Sequence, residues 1–200
     1  MKKIILTAAA VFAFSFANAQ DGGFAKGNLF LRGDVSFGKS STGNFDASAS
    51  NFSPGIGYFV SDNVAIVGSL SIGSQDAARF EETEDGILVV DQSTFAVSAG
   101  VRYLFTPASK FSFSLGADIS SGSVKESVED FEETQTLKTF AFSLPVGLNY
   151  FVSNKLALTA ELGGLSYSTN DNGGDGAEET TSTNIGLSMS NVRFGLVYKL

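Results

Sequence analysis

The stretch Gly147-Leu-Asn-Tyr150-Phe-Val-Ser-Asn-Lys155-Leu-Ala-Leu158 decides how the chain folds. Apolar and polar residues alternate up to Phe151, a polar turn follows at Ser153 and Asn154, and the alternation then resumes. Alternation on both sides of a short polar turn is typical of a β-hairpin. The sequence therefore predicts two antiparallel strands joined by a tight turn.

The same phrase recurs along the chain. Other copies begin at Gly57, Gly100 and Gly195, and the last of them stops at Leu200 before a turn. Their tyrosines recur at nearly even spacing, so one repeat holds a pair of strands and one long connection. Four such repeats predict about eight strands. The predicted strands cover approximately residues 28–37, 51–60, 64–73, 95–103, 111–119, 140–150, 156–163 and 183–200.

Two places in this pattern break the alternation. The phase is lost after Gly163-Gly164, which indicates a β-bulge. In the last strand the apolar residues change from odd to even positions, and a second bulge near Asn191 would reconcile the two halves.

The first residues resemble a targeting segment rather than part of the fold. Lys2 and Lys3 precede the apolar run Ile4 to Phe16, and Ala17-Asn18-Ala19 is a small-x-small cleavage site. This pattern predicts a secretory signal peptide over residues 1–19 and one mature domain over residues 20–200. Residues 21–27 are rich in glycine, and we expect them to form a loose lead into the first strand.

The composition excludes several classes of function. The chain has no Cys and no His, so the commonest general base and the commonest metal ligand are both missing. The formal net charge of −8 disfavours nucleic acid as a partner. We therefore expect no catalytic residue, no cofactor and no resident metal ion.

Short and long connections alternate between the predicted strands. The short turns lie at residues 61–63, 106–109 and 153–154, and the long loops at 76–91, 122–136 and 169–182 carry most of the acidic residues. With up-and-down strands, the long loops share one rim. Surface ligands or divalent cations are the candidate partners of these acidic loops. Asp171 to Gly176 partly matches a calcium loop, but Gly173 stands where an oxygen ligand is required.

Closure into a membrane barrel explains these features together. Each predicted strand has a large apolar face opposite a face of Gly, Ser and Ala, and only a closed sheet satisfies backbone groups in lipid. We expect an aromatic girdle beside the short turns, formed by Tyr58, Tyr103, Tyr150 and Tyr198. The alternative is a soluble, lipocalin-like periplasmic lipid carrier with its apolar face turned inward.

The carboxy-terminal residues carry a family resemblance. Arg193, Gly195, Tyr198 and Leu200 match the polar-x-Gly-x-x-aromatic-x-hydrophobic pattern, although a terminal Phe or Trp is more usual than Leu200. The mature chain resembles the outer membrane β-barrel domain family, the small OmpA- and OmpX-like eight-stranded barrels, in a form common among Bacteroidetes-type bacteria. The resemblance implies an all-β, eight-stranded antiparallel up-and-down barrel in the outer membrane. It also implies outer-membrane lipids and the barrel-insertion machinery as partners.

The predicted inward face also carries charges of both signs. They are Arg32, Asp34, Arg102, Asp118, Glu161 and Arg193. The interior of an eight-stranded barrel is just wide enough for side chains to fill, and charges there have to pair or be hydrated. We therefore expect a neutral, salt-bridged plug and a structural or surface-interaction role. The alternative is a narrow porin-like channel that follows the same charges.

Overall fold

The structure, a computed structural model, describes residues 23–42, 45–79, 88–128, 131–171, 179–187 and 192–200. Its regular elements are the strands β1 Leu29–Thr42, β2 Phe45–Phe59, β3 Val64–Arg79, β4 Leu88–Leu104, β5 Phe111–Val128, β6 Phe131–Phe151, β7 Leu156–Asp171, β8 Glu179–Leu187 and β9 Arg193–Lys199. Nowhere in these ranges is there a helix with the length and apolar character that crossing a bilayer requires.

The strands close into a ring. Consecutive strands from β1 to β7 pair antiparallel, and β8 and β9 both pair with β7. β9 also pairs with β1 over Phe30–Val35, which joins the last strand to the first. Because β8 and β9 occupy successive parts of one wall position, the wall has eight positions. The predicted all-β, eight-stranded antiparallel up-and-down barrel is confirmed.

The two faces of the wall differ as the alternation predicts. On β5, the side chains of Phe113 and Ile119 are 53% and 54% exposed on the outside, whereas Ser112 is 2% exposed on the inside. The large exposed apolar residues are spread over the outer surface of all the strands. The lipocalin-like alternative requires the opposite arrangement, with the apolar face around a central cavity, and is therefore wrong.

The predicted bulge at Gly163-Gly164 is confirmed. β6 pairs Val146 with Gly163 and then Gly147 with Glu161, so Leu162 is the extra residue on β7. Gly163 and Gly164 have φ angles of 107° and 149°, a region that residues with a β-carbon rarely adopt. The ladder between β7 and the last wall strand also changes register, between the Leu187 and Arg193 pairs. Asn191 itself lies outside the described residues.

The predicted long loops are mostly strand. β5 and β6 continue to Val128 and Phe131, and the neighbouring hairpins extend in the same way to Arg79, Leu88, Asp171 and Glu179. The expected loop ranges 76–91, 122–136 and 169–182 were therefore wrong in their described parts. The outward apolar row ends there, as at Ser123, Lys125 and Ser127 of β5, yet the backbone ladder continues.

The residues before β1 are packed rather than loose. Residues 23–28, which we call the amino-terminal strap, lie along the short-turn rim. The Phe24 amide donates to the Pro107 carbonyl at 2.7 Å, and the Gly27 amide donates to the Phe59 carbonyl at 2.8 Å. Lys199 Nζ donates to the Gly23 carbonyl at 2.7 Å. The strap therefore contacts a turn, β2 and β9, and the expectation of a loose lead was wrong for these residues.

Candidate functional site

The short-turn end of the lumen is filled by an aromatic cluster, the phenylalanine floor. Its members are Phe24 from the strap and Phe30, Phe59 and Phe151 from the wall, all buried. The Phe24 ring stacks on Phe59 at 4.7 Å and meets Phe151 edge-on at 4.8 Å between centroids. Small apolar residues of the neighbouring strands complete the cluster. This layer closes the lumen on the short-turn side.

The next layer of the lumen is charged. Arg32 on β1 contacts Asp34, two residues further along the same inward face. The Nε atom of Arg32 lies 2.9 Å from Oδ2 of Asp34, and Nη2 lies 2.8 Å from the same oxygen. Both side chains are largely buried. The same Nη2 atom also contacts a side chain of β7.

A second ion pair joins neighbouring strands on the opposite side of the lumen. Arg102 on β4 binds Asp118 on β5 through two parallel contacts, Nη1 to Oδ1 at 2.5 Å and Nη2 to Oδ2 at 2.8 Å. Bidentate arginine–carboxylate contacts are among the strongest and most directional ion pairs in proteins. This pair fixes the plane of the guanidinium across the lumen.

Glu161 on β7 links the two pairs. Its Oε1 atom lies 3.1 Å from Nη2 of Arg32 and 3.3 Å from Nη2 of Arg102. Its Oε2 atom lies 3.4 Å from Nη2 of Arg193, whose side chain is 55% exposed. The structure thus brings together the charges that were predicted for the inward face, with Glu161 at the centre. We call this group the charge cluster.

Glycines make room for the large side chains in both layers. A β-carbon on Gly57 would overlap the ring of Phe30, and one on Gly195 would overlap the carboxylate of Asp34. Gly116 stands in the same relation to Arg102. The sequence analysis treated the inward glycines only as part of a small-residue lining. Their positions opposite large residues are what give the charge cluster and the floor their space.

The space around the charge cluster is hydrophilic on one side. A small cavity of about 40 Å³ separates the cluster from the phenylalanine floor, enough for about one water molecule. On the other side, a cavity of about 190 Å³ is lined by serines of several strands, and Ser69 and Ser98 share a hydrogen bond at 2.6 Å. A wider cavity of about 550 Å³ lies nearer the long-loop end. The described lumen is therefore filled near the short turns and contains larger cavities with polar linings toward the long-loop end.

Glu126 is an inward residue that the sequence analysis placed in an acidic loop. It is 8% exposed, and its Oε1 atom accepts a hydrogen bond of 2.7 Å from Gln92, which in turn accepts one from Gln75. Its even position on β5 matches Ser112 and Asp118, so continued alternation would have identified it. The polar residues around it hid that signal.

The four tyrosines occupy equivalent positions at the short-turn rim. Each lies opposite the first residue of a strand, in the pairs Leu29–Tyr58, Val64–Tyr103, Phe111–Tyr150 and Leu156–Tyr198. Tyr58, Tyr103 and Tyr198 are 44–46% exposed on the outer surface. The register alone therefore sets all four at one level of the wall.

The residues of the carboxy-terminal pattern are divided among three environments. Arg193 belongs to the charge cluster, Gly195 is packed against Asp34, and Tyr198 faces outward. Leu200 is 55% exposed, and its amide donates to the Leu29 carbonyl at 3.0 Å. The pattern thus has local packing reasons at Arg193 and Gly195.

The chemistry available at this site is that of paired charges and water. Each carboxylate of the charge cluster contacts at least one guanidinium. Among the residues that the structure describes, no group of three His, Cys, Asp or Glu side chains could hold a metal ion. Asp171 accepts a hydrogen bond from the Lys138 amide at 3.0 Å, and the rest of the calcium-like segment lies outside the described residues.

A comparison with protein-family models identifies the family to which this barrel belongs. The outer membrane protein beta-barrel domain model matches residues 6–199. The chain belongs to the outer membrane protein beta-barrel domain family. As a member of this family, the barrel resides in the cell outer membrane, and its apolar outer face contacts lipid. A search of curated proteins gave no significant match.

Solved structures of other outer-membrane proteins share the fold of this family member. OprG from Pseudomonas aeruginosa has a TM-score of 0.56 at 12% identity, covering 89% of this chain and 98% of that one. A major outer membrane protein from Thermus thermophilus has a TM-score of 0.53 at 10% identity, covering 86% and 98%. Neisserial surface protein A has a TM-score of 0.50 at 15% identity, covering 86% and 97%.

Proposed function

We propose that this outer-membrane barrel is a closed scaffold without catalytic activity, and that it presents an acidic end at the cell surface. The observation that carries this proposal is the charge cluster, in which Glu161 bridges Arg32 and Arg102 from different strands. The cluster has equal numbers of positive and negative groups, so it needs no counter-ion. In the part of the chain that the structure describes, the charge cluster and the phenylalanine floor together leave no open path through the lumen to the short-turn side.

A planar bilayer experiment tests whether the lumen is closed to ions. Purified full-length protein should show no steady conductance, because ions would have to displace paired charges and then pass the aromatic layer. Steady wild-type channels that disappear in Arg102→Ala would overturn the proposal. Lys138→Ala is the matched control, since it removes one positive charge from an exposed position near the other rim.

A narrow pore is the second candidate. The cavities of about 190 and 550 Å³ support it, because they extend from the long-loop side down to the charge cluster and have polar linings. A pore would then need only the cluster and the floor to rearrange. If this candidate is right, wild-type protein should conduct ions, and Glu161→Gln should change the ion selectivity rather than create conductance.

The acidic end gives the barrel its surface role under this proposal. In outer-membrane barrels the short turns face the periplasm and the longer connections face outward. The described part of that end includes the exposed residues Glu179 and Asp171, and more acidic residues occur in the adjoining sequence. Dense negative charge suits divalent cations or basic surface ligands as partners. The barrel-insertion machinery would read Arg193, Gly195, Tyr198 and Leu200 after cleavage of residues 1–19.

Cysteine labelling of intact cells tests this orientation. The chain has no Cys, so one introduced thiol is unique. A membrane-impermeant maleimide should label Glu179→Cys in intact cells, and should label Lys155→Cys only after lysis. Labelling of Lys155→Cys in intact cells would place the short-turn rim outside and contradict the proposal.

A further inference from the structure

The short-turn rim repeats one arrangement at each tyrosine. The residue immediately before the first residue of β1, β3, β5 and β7 lies beside the tyrosine that pairs with that first residue. These preceding positions hold Asn28, Asn63, Lys110 and Lys155. The rim therefore has equivalent positions of two chemical kinds, asparagine and lysine.

The two lysines lie over tyrosine rings. Lys110 Nζ is 5.2 Å from the centroid of the Tyr150 ring, and Lys155 Nζ is 5.7 Å from that of Tyr198. Both distances are within the range of cation–π attraction. The contacts hold each ammonium group against a tyrosine ring at the level of the girdle.

The two asparagines are turned toward the backbone instead. Asn28 Oδ1 accepts a hydrogen bond from the Ala25 amide at 2.9 Å. Asn63 Nδ2 donates to the Leu104 carbonyl at 2.7 Å. These positions carry no charge, and their side chains stabilise the rim itself. Among these four described positions, lysine–tyrosine pairs therefore occur only on the part of the wall from β5 to β9.

An apolar surface continues from each lysine–tyrosine pair along the outer wall. Beside Lys110, the rings of Phe111 and Phe113 lie 5.1 Å apart and are about half exposed. Beside Lys155, Tyr198 pairs with Leu156, and Leu196 is exposed next along the strand. Each pair thus joins a cation and a hydroxyl to a wall that suits an acyl chain.

The charge of the described rim favours an anionic occupant. Four lysines lie there, namely Lys26, Lys110, Lys155 and Lys199. The acidic residue Asp62 lies at the same rim and accepts a hydrogen bond from the Lys26 amide. The acidic residues of the other end are separated from these lysines by the length of the strands. In an outer-membrane barrel, the anions at the depth of the short-turn rim are phosphates of the periplasmic leaflet.

We propose that Lys110 with Tyr150, and Lys155 with Tyr198, are two specific binding sites for anionic phospholipids of the periplasmic leaflet. In each site the ammonium group binds the lipid phosphate, the tyrosine hydroxyl donates a hydrogen bond to it, and an acyl chain lies on the adjoining apolar wall. The sites make one side of the barrel a preferred lipid contact. They are independent of whether the lumen conducts.

Native mass spectrometry of the full-length protein in detergent tests the proposal. Phosphatidylglycerol should bind at two sites more tightly than phosphatidylcholine, whose choline cation competes with lysine for the phosphate. In the double variant Lys110→Gln and Lys155→Gln, the affinity of each site for phosphatidylglycerol should fall about fivefold. Asn63→Lys should add a third bound lipid, because it creates the same arrangement beside Tyr103.

The matched control is the double variant Lys125→Gln and Lys138→Gln, which removes the same charge near the opposite rim. Its phosphatidylglycerol affinity should equal that of the wild type. Equal loss in both double variants, or no loss in the first, would show non-specific annular lipid only and would overturn the proposal. A shift in gel mobility on boiling confirms that each variant is folded before lipid is added.

Discussion

Gly116 lies directly opposite Arg102 in the β4–β5 ladder, and a β-carbon on Gly116 would lie 2.5 Å from Nη1 of Arg102. That nitrogen is the donor to Asp118, so the guanidinium cannot move away without giving up its bidentate contact. We expect Gly116→Ala to lower the free energy of unfolding by roughly 1–3 kcal/mol, as overpacked interiors do.

Urea titration of protein folded in lipid vesicles measures this loss. Gly68→Ala controls for the removal of a glycine as such, because a β-carbon there would lie 3.8 Å from the nearest atom, the Ser98 carbonyl oxygen. Its stability should stay within about 0.5 kcal/mol of the wild type. Equal effects at both glycines would argue against a clash with Arg102.

Glu161 is the residue whose neutralisation should disturb the charge cluster most. Glu161→Gln keeps the shape of the side chain but leaves Arg32 and Arg102 without their shared carboxylate. We expect a loss of about 3 kcal/mol in the free energy of unfolding, because removing one partner of a buried ion pair leaves the other charge uncompensated. Glu179→Gln, at an exposed position of β8, should change stability by less than about 0.5 kcal/mol. If Glu161→Gln also lowered the free energy of unfolding by less than about 0.5 kcal/mol, the central role of Glu161 in the charge cluster would be contradicted.

Phe24 tests whether the amino-terminal strap is part of the folded interior. Phe24→Ala removes a ring that contacts Phe59 and Phe151 and leaves a hole in the phenylalanine floor. Truncation of a buried phenylalanine costs about 3 kcal/mol or more. Phe37→Ala is the control, because its side chain is 81% exposed. If the two variants unfold at the same urea concentration, the strap contributes nothing to stability.

An outward charge tests which face meets hydrocarbon. Leu115 lies in the middle of the apolar band that runs from Phe111 to Ile119 on β5. Leu115→Arg should destabilise the barrel in lipid vesicles by about 2–4 kcal/mol, the cost of arginine near the midplane. Val60→Arg, beside the short-turn rim, should cost no more than about 1 kcal/mol. Reversal of this order would show that the outer band is not centred in the membrane.

Alternation was enough to predict the part of the wall on the short-turn side, but not the polar extensions of the hairpins. Apolar residues on one face and glycine, serine and alanine on the other identified the strands, the closure and the outer membrane. Alternation also placed Glu161 and Arg102 on the inner face. It could not give their partners, because Glu161 reaches β1 and β4 only after closure has set which strands face each other across the lumen.

Two other features were missed for different physical reasons. Glu126 sits where the outward face of β5 is polar, with Ser123, Lys125 and Ser127, so an inward carboxylate looked like part of a solvated loop. Phe24 lies in a glycine-rich segment without periodicity, and its burial depends on contacts with Phe59 and Phe151 that are distant in sequence. The alternation therefore still marks Glu126 as inward once β5 is extended, whereas no local pattern identifies the burial of Phe24.

The fit between Gly57 and Phe30 has a consequence for how the sequence can drift. These residues pair across β1 and β2, and the ring fills the volume that a side chain at position 57 would need. The sum of the two side-chain volumes is therefore constrained more tightly than either one. In a set of homologues, a larger residue at position 57 should co-occur with a smaller one at position 30, a compensatory covariation that a lipid-facing pair such as Leu31 and Ile56 should lack.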